Sequence, residues 1–128
     1  PTGWLSVPEA IRVIGGLVPG GWTEVRRRNH ELALEARDRL CQAFAIDPPA
    51  PDGMIGSMTS LPLSDGGRGV GPIDPLQDHL WHEHRIEVPV ISWPAAPHRV
   101  LRVSAQLYNT VGQYSELANA LCHSLERR

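Results

Sequence analysis

The run Arg99-Val-Leu-Arg-Val-Ser-Ala-Gln-Leu-Tyr-Asn-Thr-Val-Gly-Gln-Tyr114 constrains the fold more than any other stretch, because strand alternation passes directly into helix-start chemistry. Leu101, Val103, Ala105 and Leu107 fall at every second position, as a strand with one buried face requires, and Val100, Arg102 and Ser104 point the other way. Thr110 followed by Gln113 matches a capping box, in which two side chains satisfy backbone N–H groups at a helix start. Tyr114, Leu117, Ala118, Leu121 and Leu125 then recur at helical spacing, giving one apolar face to lay on a sheet. Arg127-Arg128 places positive charge at that helix's C-terminal end.

Upstream, Ser6 and Glu9 read as a capping box with Pro8 in the first turn, predicting a helix over Val7 to Val18 that weakens at Gly15-Gly16. Pro19-Gly20-Gly21 breaks the chain. Trp22, Val25, Leu32, Ala33, Ala36, Leu40, Ala43 and Phe44 then mark one side of a long helix, with Glu24/Arg28 and Glu35/Arg39 as ion pairs on its wet side. Asp47-Pro-Pro-Ala-Pro-Asp-Gly53 ends it, since consecutive prolines remove donors and disfavour the helical conformation before them. Met54 to Leu63 reads as a strand and Ser64 to Pro72 as a mobile, glycine-rich surface loop; Gly66-Gly-Arg-Gly-Val-Gly71 lacks the lysine and hydroxyl of a phosphate loop.

Asp74 is placed to cap a helix with Pro75 at its first position, running to about His84 with Leu76, Leu80 and Trp81 facing inward. His79, His82 and His84 lack the spacing of a zinc site. Ile86 to Trp93 reads as a second strand closed by Pro94. Pro62 and Pro89 assign the first two strands to sheet edges, which leaves the proline-free Arg102 strand in the centre. The expectation is an α+β domain: a three-stranded antiparallel sheet of order 1-3-2 with helices on one face. Arg99, at the start of the central strand beside a proline-rich turn, is expected to point to solvent.

With 128 residues the chain is long enough for a single core, and its net charge of −2, with arginines and carboxylates interspersed, indicates neither a nucleic-acid footprint nor a membrane-attracted face. No apolar run approaches the roughly 20 residues of a membrane span. Cys41 and Cys122 are far apart and read as small apolar residues in a reducing compartment, so a cytoplasmic location is the default expectation. All twelve basic Lys+Arg residues are arginine.

The segment Arg102-Val-Ser-Ala-Gln-Leu-Tyr-Asn-Thr110, preceded by Glu87-Val-Pro-Val-Ile-Ser-Trp-Pro94, resembles the C-terminal part of class V aminotransferase-like enzymes that use pyridoxal 5′-phosphate, and within them the isopenicillin N epimerase-like group. The opening, Pro1-Thr-Gly-Trp-Leu-Ser-Val-Pro-Glu-Ala-Ile11, resembles the helix that closes the large domain in that family. The resemblance implies that residues 1–18 pack on a large domain, that residues 19–128 form the small domain, and that the whole covers about the last third of a family member. It also implies an amino-acid substrate whose α-carboxylate is bound by Arg102, the position matching the family's Arg-x-Ser-x-x-x-Tyr-Asn arginine. Pyridoxal phosphate in the parent enzyme and a homodimer belong to the same expectation. The family holds its cofactor on a lysine, and this chain has none, so alone it lacks a catalytic residue of that chemistry. Epimerisation, transamination and C–S cleavage share the carboxylate anchor. A non-catalytic binding or oligomerisation module left from such an enzyme is the alternative.

Overall fold

The computed structural model describes residues 2–66 and 73–126. Its elements are α1 (Thr2–Leu5), α2 (Val7–Gly15), α3 (Gly21–Phe44), β1 (Met58–Leu63), α4 (Pro75–His84), β2 (Val90–Ser92), β3 (Arg99–Ser104) and α5 (Val111–Glu126), with a 3-10 turn at Asp52–Met54. The three strands form one antiparallel sheet in the order β1-β3-β2, with β3 central.

Register sorts the sheet into two faces. Thr59 pairs with Val103, Leu61 and Val90 with Leu101, and Leu63 with Arg99, all toward the helices; Met58, Ser60, Pro62, Ile91, Val100, Arg102 and Ser104 take the other side. On the first side Leu61 and Leu101 are fully buried against Ala33, Ala36 and Leu40 of α3, Leu76 and Leu80 of α4, and Leu117 and Leu121 of α5. The core is therefore one layer between helices and sheet. Each fully buried leucine contributes about 1.5–3 kcal/mol by leaving water.

The long helix begins where glycine is required: Gly20 has φ +94° and Gly21 has φ +61°. Close before it, a Cβ on Gly15 would lie 2.7 Å from the Trp22 indole, so this glycine lets α2 lie against α3, a contact also held by Trp22 Nε1 donating to Ile11 O at 3.0 Å. The same helix ends at Ala45, φ 52°, with Ile46 N donating to Cys41 O at 3.0 Å, a terminus that satisfies the last carbonyls before Asp47-Pro48. Arg85, φ 58°, ends α4 the same way through Ile86 N to Leu80 O.

Several local expectations are met and others corrected. Asp74 Oδ1 accepts from Leu76 N at 2.8 Å as the expected cap of α4. Gln113 Oε1 accepts from Thr110 N at 3.0 Å, the reciprocal half of the second capping box. The Ser6 box is absent: α1 already winds the preceding residues, Ser6 Oγ donates back to Gly3 O, and Glu9 pairs with Arg12 instead. The first strand starts at Met58 rather than Met54 because Asp52–Met54 is a 3-10 turn, and β2 shrinks to Val90–Ser92. Trp81 and Ala43 lie at the surface. Most of the glycine-rich run, and Arg127-Arg128, fall outside the described residues.

Arg99 is the principal correction. Its side chain is 2% exposed, with Nη1 donating to Asp74 Oδ1 at 2.8 Å and Nε donating to Ser64 O at 2.9 Å. Strand parity puts it on the Leu101 face, so it enters the interior and needs a paired carboxylate there. Arg99 thus ties the end of β1, the start of α4 and β3 together, and Gly66 runs so close that a Cβ there would meet Arg99 Cδ at 3.0 Å.

Candidate functional site

Arg102 sits at the middle of β3, on the uncovered side of the sheet, opposite Ser60. Its backbone is fixed on both sides, by β1 and by its own N–H donating to Pro89 O at 3.0 Å. Leu101 and Val103, its neighbours, are anchored in the core, so the strand cannot rotate the arginine away without unburying them. Among the strand residues of that face it is the sole charge. Among the described residues no carboxylate pairs with it, in contrast to Arg37 and Arg99. An exposed guanidinium on a rigid strand with its donors unspent is suited to a planar, two-oxygen anion.

The arginine lines a cleft of about 560 Å³, a volume within the range of small-molecule sites. Pro89 and Val88 of the segment before β2, Ser104, and Tyr108, Asn109 and Gln113 of the turn leading into α5 form other parts of its wall. Tyr114 Oη donates to Ser104 O at 3.0 Å, fastening the start of α5 to the end of β3, and burial pushes the phenol's pKa up, with Tyr108 adding to the effect. Beside the cleft on the same open face lies an apolar groove of about 620 Å³ over Met54, Met58, Pro62, Ile91, Trp93 and Val100.

The turn itself is held by a network that sequence reasoning did not identify. Gln106 N donates to Asn109 Oδ1 at 3.0 Å, Asn109 N to Gln106 O at 2.8 Å, and Leu107 N to Gln106 Oε1 at 2.8 Å. Asn29, buried on α3, donates from Nδ2 to the same Gln106 oxygen at 2.9 Å. An asparagine in register with Val25, Ala33, Ala36 and Leu40 on the inner side of α3 was the available signal, since a buried amide implies a polar partner.

The other residues singled out in sequence are not brought into this cleft as a site. His84 lines one end of it, but meets His79 edge to face, ring centroids 5.6 Å apart, and His82 approaches Asp78. Among the described residues no group of three His, Cys, Asp or Glu side chains is arranged to hold a metal. Cys41 is buried, which raises its thiol pKa, and Cys122 is half-buried; neither forms a disulfide. No helix among the described residues is long and apolar enough to cross a membrane.

Comparison with known proteins agrees with the motif around Arg102. Over 120 residues, 92% of this chain, it is 41% identical to isopenicillin N epimerase of Amycolatopsis lactamdurans. It is 34% identical over 121 residues to isopenicillin N epimerase of Streptomyces clavuligerus, and 26% identical over 125 residues to a probable chloroplastic L-cysteine desulfhydrase of Arabidopsis thaliana. The chain is homologous to the C-terminal part of class V aminotransferase-like, pyridoxal-phosphate enzymes. It spans 28% of the length of the two epimerases and 26% of the desulfhydrase. No family model matches it.

Proposed function

We propose that this chain is the small, C-terminal domain of a pyridoxal-phosphate enzyme of the isopenicillin N epimerase type, and that Arg102 binds the substrate's α-carboxylate. The observation that carries the proposal is the placement of a guanidinium, without a carboxylate partner among the described residues, at the centre of the sheet's uncovered face in a cleft of small-molecule size. Two parallel N–H···O bonds from a fixed fork set the orientation of the substrate as well as holding it, so the bond to be broken is presented in one direction.

The donor set of this chain does not fit the cofactor. Pyridoxal phosphate in this chemistry is held on a lysine, and the chain has none, so cofactor and base belong to the rest of the parent enzyme. The domain's contribution is the anchor and its surroundings. Trp4, Leu5, Ile11 and Leu17, exposed at 82%, 80%, 52% and 60%, give α1–α2 an apolar surface suited to docking on the large domain.

Two measurements on the intact gene product test this. Borohydride reduction followed by peptide mapping is expected to find cofactor on a lysine outside this chain; cofactor on a side chain within it would overturn the assignment. Arg102→Lys is expected to reduce kcat/KM for the amino-acid substrate by roughly 30-fold or more while the fold is kept, and unchanged kinetics would return Arg102 to a solvated sheet position.

A further inference from the structure

Resting on the carboxylate role of Arg102, we propose that Tyr108 is the specificity-determining residue of the same cleft, its ring forming the wall against which the remainder of the ligand packs. The site would then prefer carboxylates that carry a planar or bulky apolar group.

Tyr108 is 80% exposed, an unusual position for so large an apolar ring, and it lines the cleft that contains Arg102. It is not on a floppy loop. The turn from Gln106 to Asn109 is held by four hydrogen bonds: Gln106 N on Asn109 Oδ1, Asn109 N on Gln106 O, Leu107 N on Gln106 Oε1, and Asn109 Nδ2 on Gln113 Oε1 of α5 at 3.2 Å. Asn29 of α3 ties Gln106 to the body of the domain, and the flanking Ala105 is buried. An exposed ring on a turn anchored at both ends loses little conformational freedom when a ligand packs on it.

The cleft has a mixed lining, with Arg85, Glu87 and Glu116 as its other charged members and an apolar stretch beside them. Ile86, Val88 and Pro89 continue the cleft's apolar lining, and Leu117 lines it from α5. Tyr108 and Tyr114 line the same cleft as Arg102. A carboxylate on Arg102 therefore has a rigid aromatic surface within the same concavity. An aromatic ring on an aromatic ring adds to plain burial, so the preference for an aromatic over a small carboxylate is expected to be about three- to tenfold.

The test uses the chain itself, isotopically labelled, with sodium benzoate, sodium acetate and benzamide as probes. The Arg102 Nε–H and Tyr108 ring resonances are followed by nuclear magnetic resonance. Benzoate is expected to shift both saturably and to bind more tightly than acetate, acetate to shift Arg102, and uncharged benzamide to give no saturable shift. Tyr108→Ala is expected to bring benzoate down to the level of acetate, and Tyr108→Phe to keep the difference, because the ring and not the hydroxyl is the wall. The Tyr108 side chain is exposed, so neither variant threatens the fold. If the two carboxylates bind Arg102 equally and the Tyr108 ring is unmoved, or if Tyr108→Ala retains the benzoate preference, Tyr108 has no part in selection although Arg102 keeps its role. If neither carboxylate shifts Arg102, the carboxylate assignment falls, and the inference with it.

Discussion

Replacing Arg99 by lysine keeps the charge and removes the fork, which isolates what the buried guanidinium does. In the native domain Nη1 bonds Asp74 Oδ1 at 2.8 Å and Nε bonds Ser64 O at 2.9 Å, two donors at fixed separation reaching two elements. A lysine ammonium on a shorter stem reaches one of these partners and leaves the other behind. Losing a hydrogen bond to a charged group costs about 1.5–3 kcal/mol, and the Asp74 side chain, 15% exposed, cannot recover it fully from water. Its bond from Leu76 N remains, which holds the loss toward the lower end. We therefore expect Arg99→Lys to destabilise the domain by about 1.5–3 kcal/mol, and Arg99→Ala, which strands the carboxylate, by about 3–5 kcal/mol. Urea unfolding followed by circular dichroism measures this: with a slope of about 1–3 kcal/mol/M, a loss of that size moves the midpoint by roughly 1 M. Asp74→Asn keeps an oxygen for the cap and removes the charge, so the Arg99→Lys/Asp74→Asn cycle separates pairing from capping. An unfolding free energy for Arg99→Lys within about 0.5 kcal/mol of the unsubstituted domain would mean that Arg99 is solvated, and the reasoning from strand parity would fail.

Three further outcomes follow from other parts of the fold. Tyr114→Phe removes the bond to Ser104 O and is expected to cost about 1 kcal/mol at neutral pH. Because burial raises the Tyr114 pKa, the neutral phenol's stabilisation is present below the unfolded value near 10 and is lost as pH rises through the folded value; the phenylalanine variant should show a shallower alkaline loss in a pH series of unfolding curves. The exposed residues of α1–α2 predict self-association of the isolated chain, and Trp4→Ser with Leu5→Ser should abolish it without lowering stability, since neither is buried; a strictly monomeric unsubstituted chain at high concentration in sedimentation would contradict this. Glu24, held to about 2 by Arg27 and Arg28 but in contact with water, should leave unfolding nearly unchanged on replacement by glutamine, and a marked shift in the urea midpoint would show the pairs to be stronger than exposed ion pairs are.

The features readable in the sequence were those that depend on short-range chemistry. Pro62 within β1 and Pro89 immediately before β2 fit edge positions because a central strand needs donors on both sides, and the observed order agrees. Asp74-Pro75 announced the start of α4, and the two-residue period put Arg102 on the face opposite Leu101 and Val103. The failures are places where a distant group decides. Arg99 shares the parity of Leu101, but its partner is 25 residues away, across a segment that local pattern does not fold. Ser6 has the spacing of a cap and lost it because a turn of helix precedes it. Asn29 and Gln106 are 77 residues apart, and their bond has no local signature. The position of Arg102 was legible; the rigid turn that presents Tyr108 beside it was not.

The central claim is that Arg102 recognises a carboxylate, and it is tested most directly by comparing an amino acid that the intact enzyme turns over with the carboxamide of the same amino acid, in the parent and in Arg102→Lys. The parent is expected to prefer the carboxylate in kcat/KM by roughly 30-fold or more, corresponding to about 2–5 kcal/mol, and the variant to lose most of that preference, because the fork that reads two oxygens is gone. The same preference in both proteins would contradict the claim and place the carboxylate elsewhere.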